Sequence, residues 1–155
     1  MVDRSGPSIR VRTAFISDIH LGFRGCSAEL LQEFLHRVDM DTLFLVGDII
    51  DVWSMQKSMF WPQSHNNVLR TILGKAKRGT KVIFVPGNHD EVFRDFDGAA
   101  FGNLEIHILY RFKSPIALID VLHFNGRWRH GDAAVVWRFP VDARAHCFTS
   151  LDLGM

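Results

Sequence analysis

Cysteine is scarce in this chain: Cys26 and Cys147 are the only two in 155 residues. Two thiols so far apart make neither a disulfide framework nor a zinc-type cysteine pair. A surplus of one charge is missing too. The 18 basic and 17 acidic residues leave a formal net charge of +1. Proteins that live on phosphate-backbone contacts carry a basic excess, so bulk DNA or RNA binding is disfavoured. No apolar run approaches the ~20 residues of a membrane-spanning helix. The opening Met1-Val2-Asp3-Arg4-Ser5 leads into no apolar signal core, so the expected compartment is the cytosol. Repeats and low-complexity stretches are absent as well. With 47% hydrophobic and 23% charged residues, the composition is that of an ordinary globular protein. The length suits one domain with a sizeable core.

The most informative stretch runs from Lys81 to Asp90. Lys81 to Val85 is a short run rich in β-branched and aromatic residues, and Pro86-Gly87 stops it, which predicts a buried strand ending in a sharp turn. Asn88, His89 and Asp90 follow at once. Polar groups at the exit of a buried strand are where open α/β sheets place their ligands. An Asx-type turn, with Asn88 and Asp90 capping their own backbone, explains the same residues without any chemistry.

The preceding chain repeats the pattern. Thr13 to Ile16 predicts a first strand, running into Ser17-Asp18-Ile19-His20. Ser27 is placed to cap a helix with Leu30, Leu31, Phe34, Leu35 and Val38 on one face. Asp39 and Asp41 mark a turn before a second strand, Thr42 to Val46, which stops at Gly47-Asp48. A loop from Asp51 to Ser64 then carries Trp53, Met55, Met59, Phe60 and Trp61. Val68, Leu69, Ile72, Leu73 and Ala76 line a second amphipathic helix. Lys75, Lys77 and Arg78 sit in its last turn, where cations suit the helix dipole. The order is β-α-β-α-β, an α/β pattern. Right-handed crossovers make such strands parallel and bring their carboxyl ends to one edge.

Asp18, His20, Asp48, Asn88 and His89 therefore converge. Carboxylate, imidazole and amide oxygen suit a divalent transition metal such as manganese, iron or zinc better than calcium. One carboxylate can bridge two ions about 3.5–4 Å apart, the spacing of two-metal hydrolases. Any one of these residues alone is a turn cap or a surface side chain; three motifs in chain order are a constellation. Beyond Asp97 the pattern thins. Leu104 to Leu109 predicts another strand, Arg111 to Pro115 a connection, and Ile116 to Phe124 a further apolar run. Ala133 to Phe139 fits a strand or a helix stub.

Asp18-Ile19-His20-Leu21-Gly22, Gly47-Asp48 and Gly87-Asn88-His89-Asp90 resemble the signature of calcineurin-like metallophosphoesterases. Their flanks, Phe15-Ile16-Ser17 and Ile49-Ile50-Asp51-Val52-Trp53, look like the UDP-2,3-diacylglucosamine diphosphatase-like branch. The resemblance covers about residues 10 to 106. It implies a single domain with a β-sandwich flanked by helices, and two divalent metal ions, manganese first, with iron or zinc as alternatives. Asp18 and His20 would bind one ion, Asp48 would bridge both, and Asn88 would bind the second. His89 would sit over the scissile phosphate as the catalytic residue, and Arg94 would contact substrate phosphate. His130, in His130-Gly131-Asp132, would be a further metal ligand, although polar residues precede it where a buried strand is expected. The resemblance also calls for a Gly-His-x-His motif. None of the eight histidines follows a glycine, so the chain is expected to be the N-terminal part of a longer enzyme with a truncated or aberrant end.

The implied activity is hydrolysis of a phosphoester or diphosphate bond, in a UDP-2,3-diacylglucosamine-type substrate above others. The alternatives are a phosphatase or phosphodiesterase of another substrate, or a fragment without turnover. Expected partners are a phosphorylated small molecule or a lipid-linked nucleotide, without nucleic acid, and with peripheral contact at the inner face of a membrane. The aromatics and methionines of the Trp53 to Trp61 stretch would touch an acyl chain, or simply pack a lid or the core.

Overall fold

Three strands form on β-branched and aromatic runs, two of which stop at Gly47 and at Pro86-Gly87. The computed structural model describes residues 9–113, 118–121 and 136–138, with side chains for residues 9–109. Strand β1 (Ile9–Ser17) leads to helix α1 (Ala28–Arg37), then to β2 (Val38–Val46). Two helices follow, α2 (Val52–Lys57) and α3 (Gln63–Lys77), and then β3 (Lys81–Val85). A 3-10 helix, Glu91–Phe96, precedes the short β4 (Ala100–Phe101) and β5 (Leu104–Ile106). Strands β6 (Tyr110–Lys113), β7 (Leu118–Val121) and β8 (Val136–Arg138) complete the described elements.

Six strands make one sheet in the order β4-β5-β3-β2-β1-β8, and β6 pairs with β7 in a second. β1, β2 and β3 are mutually parallel, with Ser17 beside Val46 and Val46 beside Val85. β8 and β5 extend the sheet in parallel on either side, and β4 alone runs antiparallel. The fold is thus α/β, with a sheet flanked by helices, and the expected β-α-β-α-β run is its centre.

Ala14, Ile16, Leu43, Leu45, Val82 and Phe84 form one core with Leu31 and Leu35 of α1 and Val68, Ile72 and Ala76 of α3. The alternate residues Phe15, Phe44, Ile83 and Val85 are buried too, and the rings of Phe15 and Phe44 stack 4.6 Å apart. Burial on both faces explains why these strands read as unbroken apolar runs. Each fully buried aliphatic side chain stabilises the fold by roughly 1.5–3 kcal/mol, so this sheet is a rigid base for whatever its strands carry.

Several local expectations change. Asp39 and Asp41 lie inside β2 and mark no turn, because α1 passes straight into the strand at Val38. They alternate with buried Val38 and Met40 and face outward, as a half-exposed strand end dictates. Ser27 occupies the N-cap position of α1 without a side-chain hydrogen bond, and Leu30 and Leu73 are exposed. Lys75 does not project toward the helix end in solvent. Its buried Nζ donates to the Val38 carbonyl at 2.8 Å and fastens α3 to the start of β2. Arg111 and Lys113 belong to β6, not to a connection, and the strand predicted over Leu104 to Leu109 stops at Ile106. The segment around Ala133 to Phe139 contains strand β8. No helix of the described residues is long and apolar enough to cross a membrane.

Candidate metal centre

The exits of β1, β2 and β3 are joined by backbone hydrogen bonds that continue past the strands. Asp18 N donates to Gly47 O at 3.1 Å, His20 N to Asp48 O at 2.8 Å and Leu21 N to Ile49 O at 2.9 Å. Gly47 N donates to Val85 O at 2.7 Å. Within this lattice Asp18, His20 and Asp48 have φ of 54°, 55° and 52°, and among the described residues they are the non-glycine residues with positive φ. A side chain in the left-handed region costs of order 1–3 kcal/mol and persists only where surrounding bonds hold it. Here it bends three metal-competent side chains out of the strand direction toward a common point.

Asp18, His20 and Asp48 bring ligand atoms within 4.8 Å of one another. A second group, His20, Asp51 and His89, meets the same limit and shares His20. Asp51 lies between the two imidazoles, with its Oδ2 3.1 Å from His20 Nδ1 and its Oδ1 3.0 Å from His89 Nδ1. With each Nδ1–H donated to the carboxylate, both rings are held in orientation, and the Nε2 of His20 keeps a lone pair for a cation. Burial alone would raise the Asp51 pKa. Hydrogen bonds from His89, Ser54 and His20 overcome that and hold it below the usual carboxylate value. Asp51 is therefore an anion at neutral pH.

Asp48 is buried, and its Oδ1 accepts the His89 N–H at 2.9 Å, tying the β2 exit to the β3 exit. Asp90 does structural work. Its fully buried carboxylate accepts from the amides of Gly87, Ile49 and Ile50. Burial pushes its pKa up against the pull of those donors. The turn-capping alternative thus describes Asp90 at Gly87, while its bonds to Ile49 and Ile50 tie that turn to the β2 exit. Gly87 has to be glycine, because a Cβ there would overlap Asp48 and the Gly47 backbone. Asn88 is half-buried on the turn between Gly87 and His89.

Asp18, His20, Asp48 and His89 are brought together. Arg94 sits half-buried on the 3-10 helix, and its Nε is buried with no hydrogen-bond partner among the described residues. His130 lies outside the described residues. Sequence reasoning missed Asp51, which it placed at the start of a loop. Val52–Lys57 of that stretch is helix α2 instead, and Asp51 is its N-cap, accepting the Ser54 N–H at 2.8 Å. An Asp three residues before a Ser was the available signal, but α2 buries no side chain and leaves no apolar stripe to read. Trp53 of α2 places its ring 4.6 Å from that of His89. Phe60 and Trp61 stand edge-on to His65 instead.

Carboxylates and imidazoles at this spacing are a fitting donor set for a divalent transition-metal ion. Among curated proteins none matches this chain. The family model for calcineurin-like phosphoesterase matches residues 11–139, which takes in every strand exit described above. The chain belongs to the calcineurin-like phosphoesterase family, whose domain is that of a metal-dependent phosphoester hydrolase.

Proposed function

We propose that this centre holds two divalent cations, manganese before iron or zinc, and hydrolyses the diphosphate of a UDP-2,3-diacylglucosamine-type lipid precursor. Asp18 and His20 bind one ion, Asp48 reaches both, and Asn88 binds the other. The observation that carries the reading is that the left-handed non-glycine residues among the described residues are Asp18, His20 and Asp48. Strain gathered on three metal-competent side chains at one sheet edge is what a functional site is expected to show. Bound cations would supply Lewis acidity and a nucleophilic water at neutral pH. His89, oriented through Nδ1 by Asp51, would present Nε2 to the scissile phosphate, where, with Nε2 protonated as well as Nδ1, it stabilises charge or protonates the leaving oxygen. Arg94 is assigned to substrate phosphate.

An acyl-bearing substrate, and with it peripheral contact with a membrane, is supported by exposed apolar residues near the site. Trp53 is 41% exposed beside His89, and Val92 and Phe96 are 48% and 51% exposed on the 3-10 helix that follows Asp90. The test is direct. Purified protein with Mn²⁺ should release UMP from UDP-2,3-diacylglucosamine, and Asp48→Ala should abolish release and lower metal content. Hydrolysis of a generic phosphodiester without UMP release would assign another substrate. Unchanged metal stoichiometry in Asp48→Ala would make Asp48 a turn residue. Metal binding without turnover on either substrate would leave a non-catalytic metal-binding domain.

A further inference from the structure

His65 is 2% exposed, and nothing in the reaction uses it. It lies on the first turn of α3, at helical spacing with buried Val68, Ile72 and Ala76, where an apolar residue would be expected. Its Nδ1 accepts the N–H of Gly22 at 3.0 Å, in a buried bond. Gly22 closes the turn that carries Asp18 and His20. The amides of Asp18, His20, Leu21 and Phe23 all donate to backbone carbonyls, at Gly47, Asp48, Ile49 and His20. Gly22 donates instead to a side chain on another element. Its φ is +106°, which favours glycine, and Met55 packs where a Cβ would stand.

We infer that His65 is a positioning residue for the metal centre: as an acceptor for the Gly22 N–H, it holds the Asp18–Gly22 turn in the conformation that presents Asp18 and His20. This rests on the metal reading above for its consequence, but not for its geometry. Only a neutral imidazole protonated at Nε2 can accept at Nδ1. Burial lowers the His65 pKa, and Glu29, whose charge acts the other way, does not reverse the shift. The rings of Phe60 and Trp61, edge-on at 5.6 and 5.7 Å, keep the imidazole in place. Arg24 lies 4.5 Å over the Phe60 ring, a second tie between the two loops. A phenylalanine would fill the same space without an acceptor. An asparagine puts its Oδ1 close to where Nδ1 stands, and a glutamine carries the same amide one bond too far.

The experiment compares the parent with His65→Phe, His65→Asn and His65→Gln. Exchange of the Gly22 amide is followed by NMR without metal, and Mn²⁺ affinity is measured by titration. The Gly22 amide should be protected in the parent and in His65→Asn, and should exchange faster in the other two. Mn²⁺ affinity should fall about 10–100-fold in His65→Phe and His65→Gln, the range for groups that orient metal ligands, and should largely return in His65→Asn. If His65→Phe does not fold, the Asn and Gln variants alone make the comparison. Gly22 exchanging as fast in the parent as in His65→Gln would overturn the inference. So would unchanged Mn²⁺ affinity despite lost protection. If the parent binds no Mn²⁺, the metal reading fails, and the exchange of Ile19, Leu21 and Gly22 still decides whether His65 holds the turn.

Discussion

At the scale of single residues, Asp51 separates two tasks that share one carboxylate. One oxygen meets His89 and the other meets His20, so changes at Asp51 and at His89 should not have the same consequences. His89→Ala removes a group assigned to the reacting phosphate and should lower turnover by roughly 10²–10⁴, the range of a positioned acid or base, with Mn²⁺ content unchanged. Asp51→Asn should lower turnover and also weaken Mn²⁺ binding by about 10–100-fold, because His20 loses the partner that fixes its ring. Metal analysis beside steady-state rates tests both. Full metal affinity in Asp51→Asn would confine Asp51 to His89, and metal loss in His89→Ala would make His89 a ligand. The gathering of Asp18, His20, Asp48 and His89 at one edge was legible because each lies in the few residues that follow a strand with a strong apolar pattern. Asp51 and His65 were not. Each acts through geometry that no local spacing encodes, a carboxylate between two distant imidazoles and an imidazole facing a distant amide.

At the scale of elements, the three strand exits work as one unit because their backbones touch. Gly87 is the closest of these contacts: a Cβ there would meet the amide N of Asp48 at 2.6 Å and the Cα of Gly47 at 2.9 Å. Neither atom can swing aside, so Gly87→Ala must push β3 away from β2 at the point where His89 N donates to Asp48. Over-packing of this kind costs about 1–3 kcal/mol. For a chain of this size each kcal/mol lowers the melting temperature by roughly 2–4 °C, so a fall of several degrees is expected, together with weaker metal binding. Thermal denaturation and Mn²⁺ titration measure the two effects, and parent-like values in both would show that the contact is slack. The strands themselves were readable in the sequence because burial on both faces demands continuous apolar runs. Helix α2 was not, since its start is set by the Asp51 cap and none of its side chains is buried. The entry into β2 was also hidden, because Asp39 and Asp41 mimic a turn while serving as the outward positions of a strand.

For the whole molecule, the parallel sheet and the centre at its edge should be thermodynamically linked. Asp18, His20, Asp48, Asp51 and His89 come from segments far apart in the chain and meet only when β1, β2 and β3 are in register. An unfolded chain offers no such donor set, so a cation that binds the folded form must stabilise it. At a free Mn²⁺ concentration of 100 times Kd the stabilisation is about 2.7 kcal/mol. At roughly 2–4 °C per kcal/mol, that raises the melting temperature by about 5–11 °C over the value in EDTA. The same comparison on Asp48→Ala should show little of the shift, because the carboxylate proposed to reach both ions is gone. Ca²⁺ should give less than Mn²⁺, since imidazoles are poor ligands for a hard oxygen-seeking ion. Equal melting temperatures in EDTA and Mn²⁺ would mean that the strained exits of β1 and β2 hold their shape for packing alone. An equal shift in the parent and Asp48→Ala would move the metal site away from this edge of the sheet.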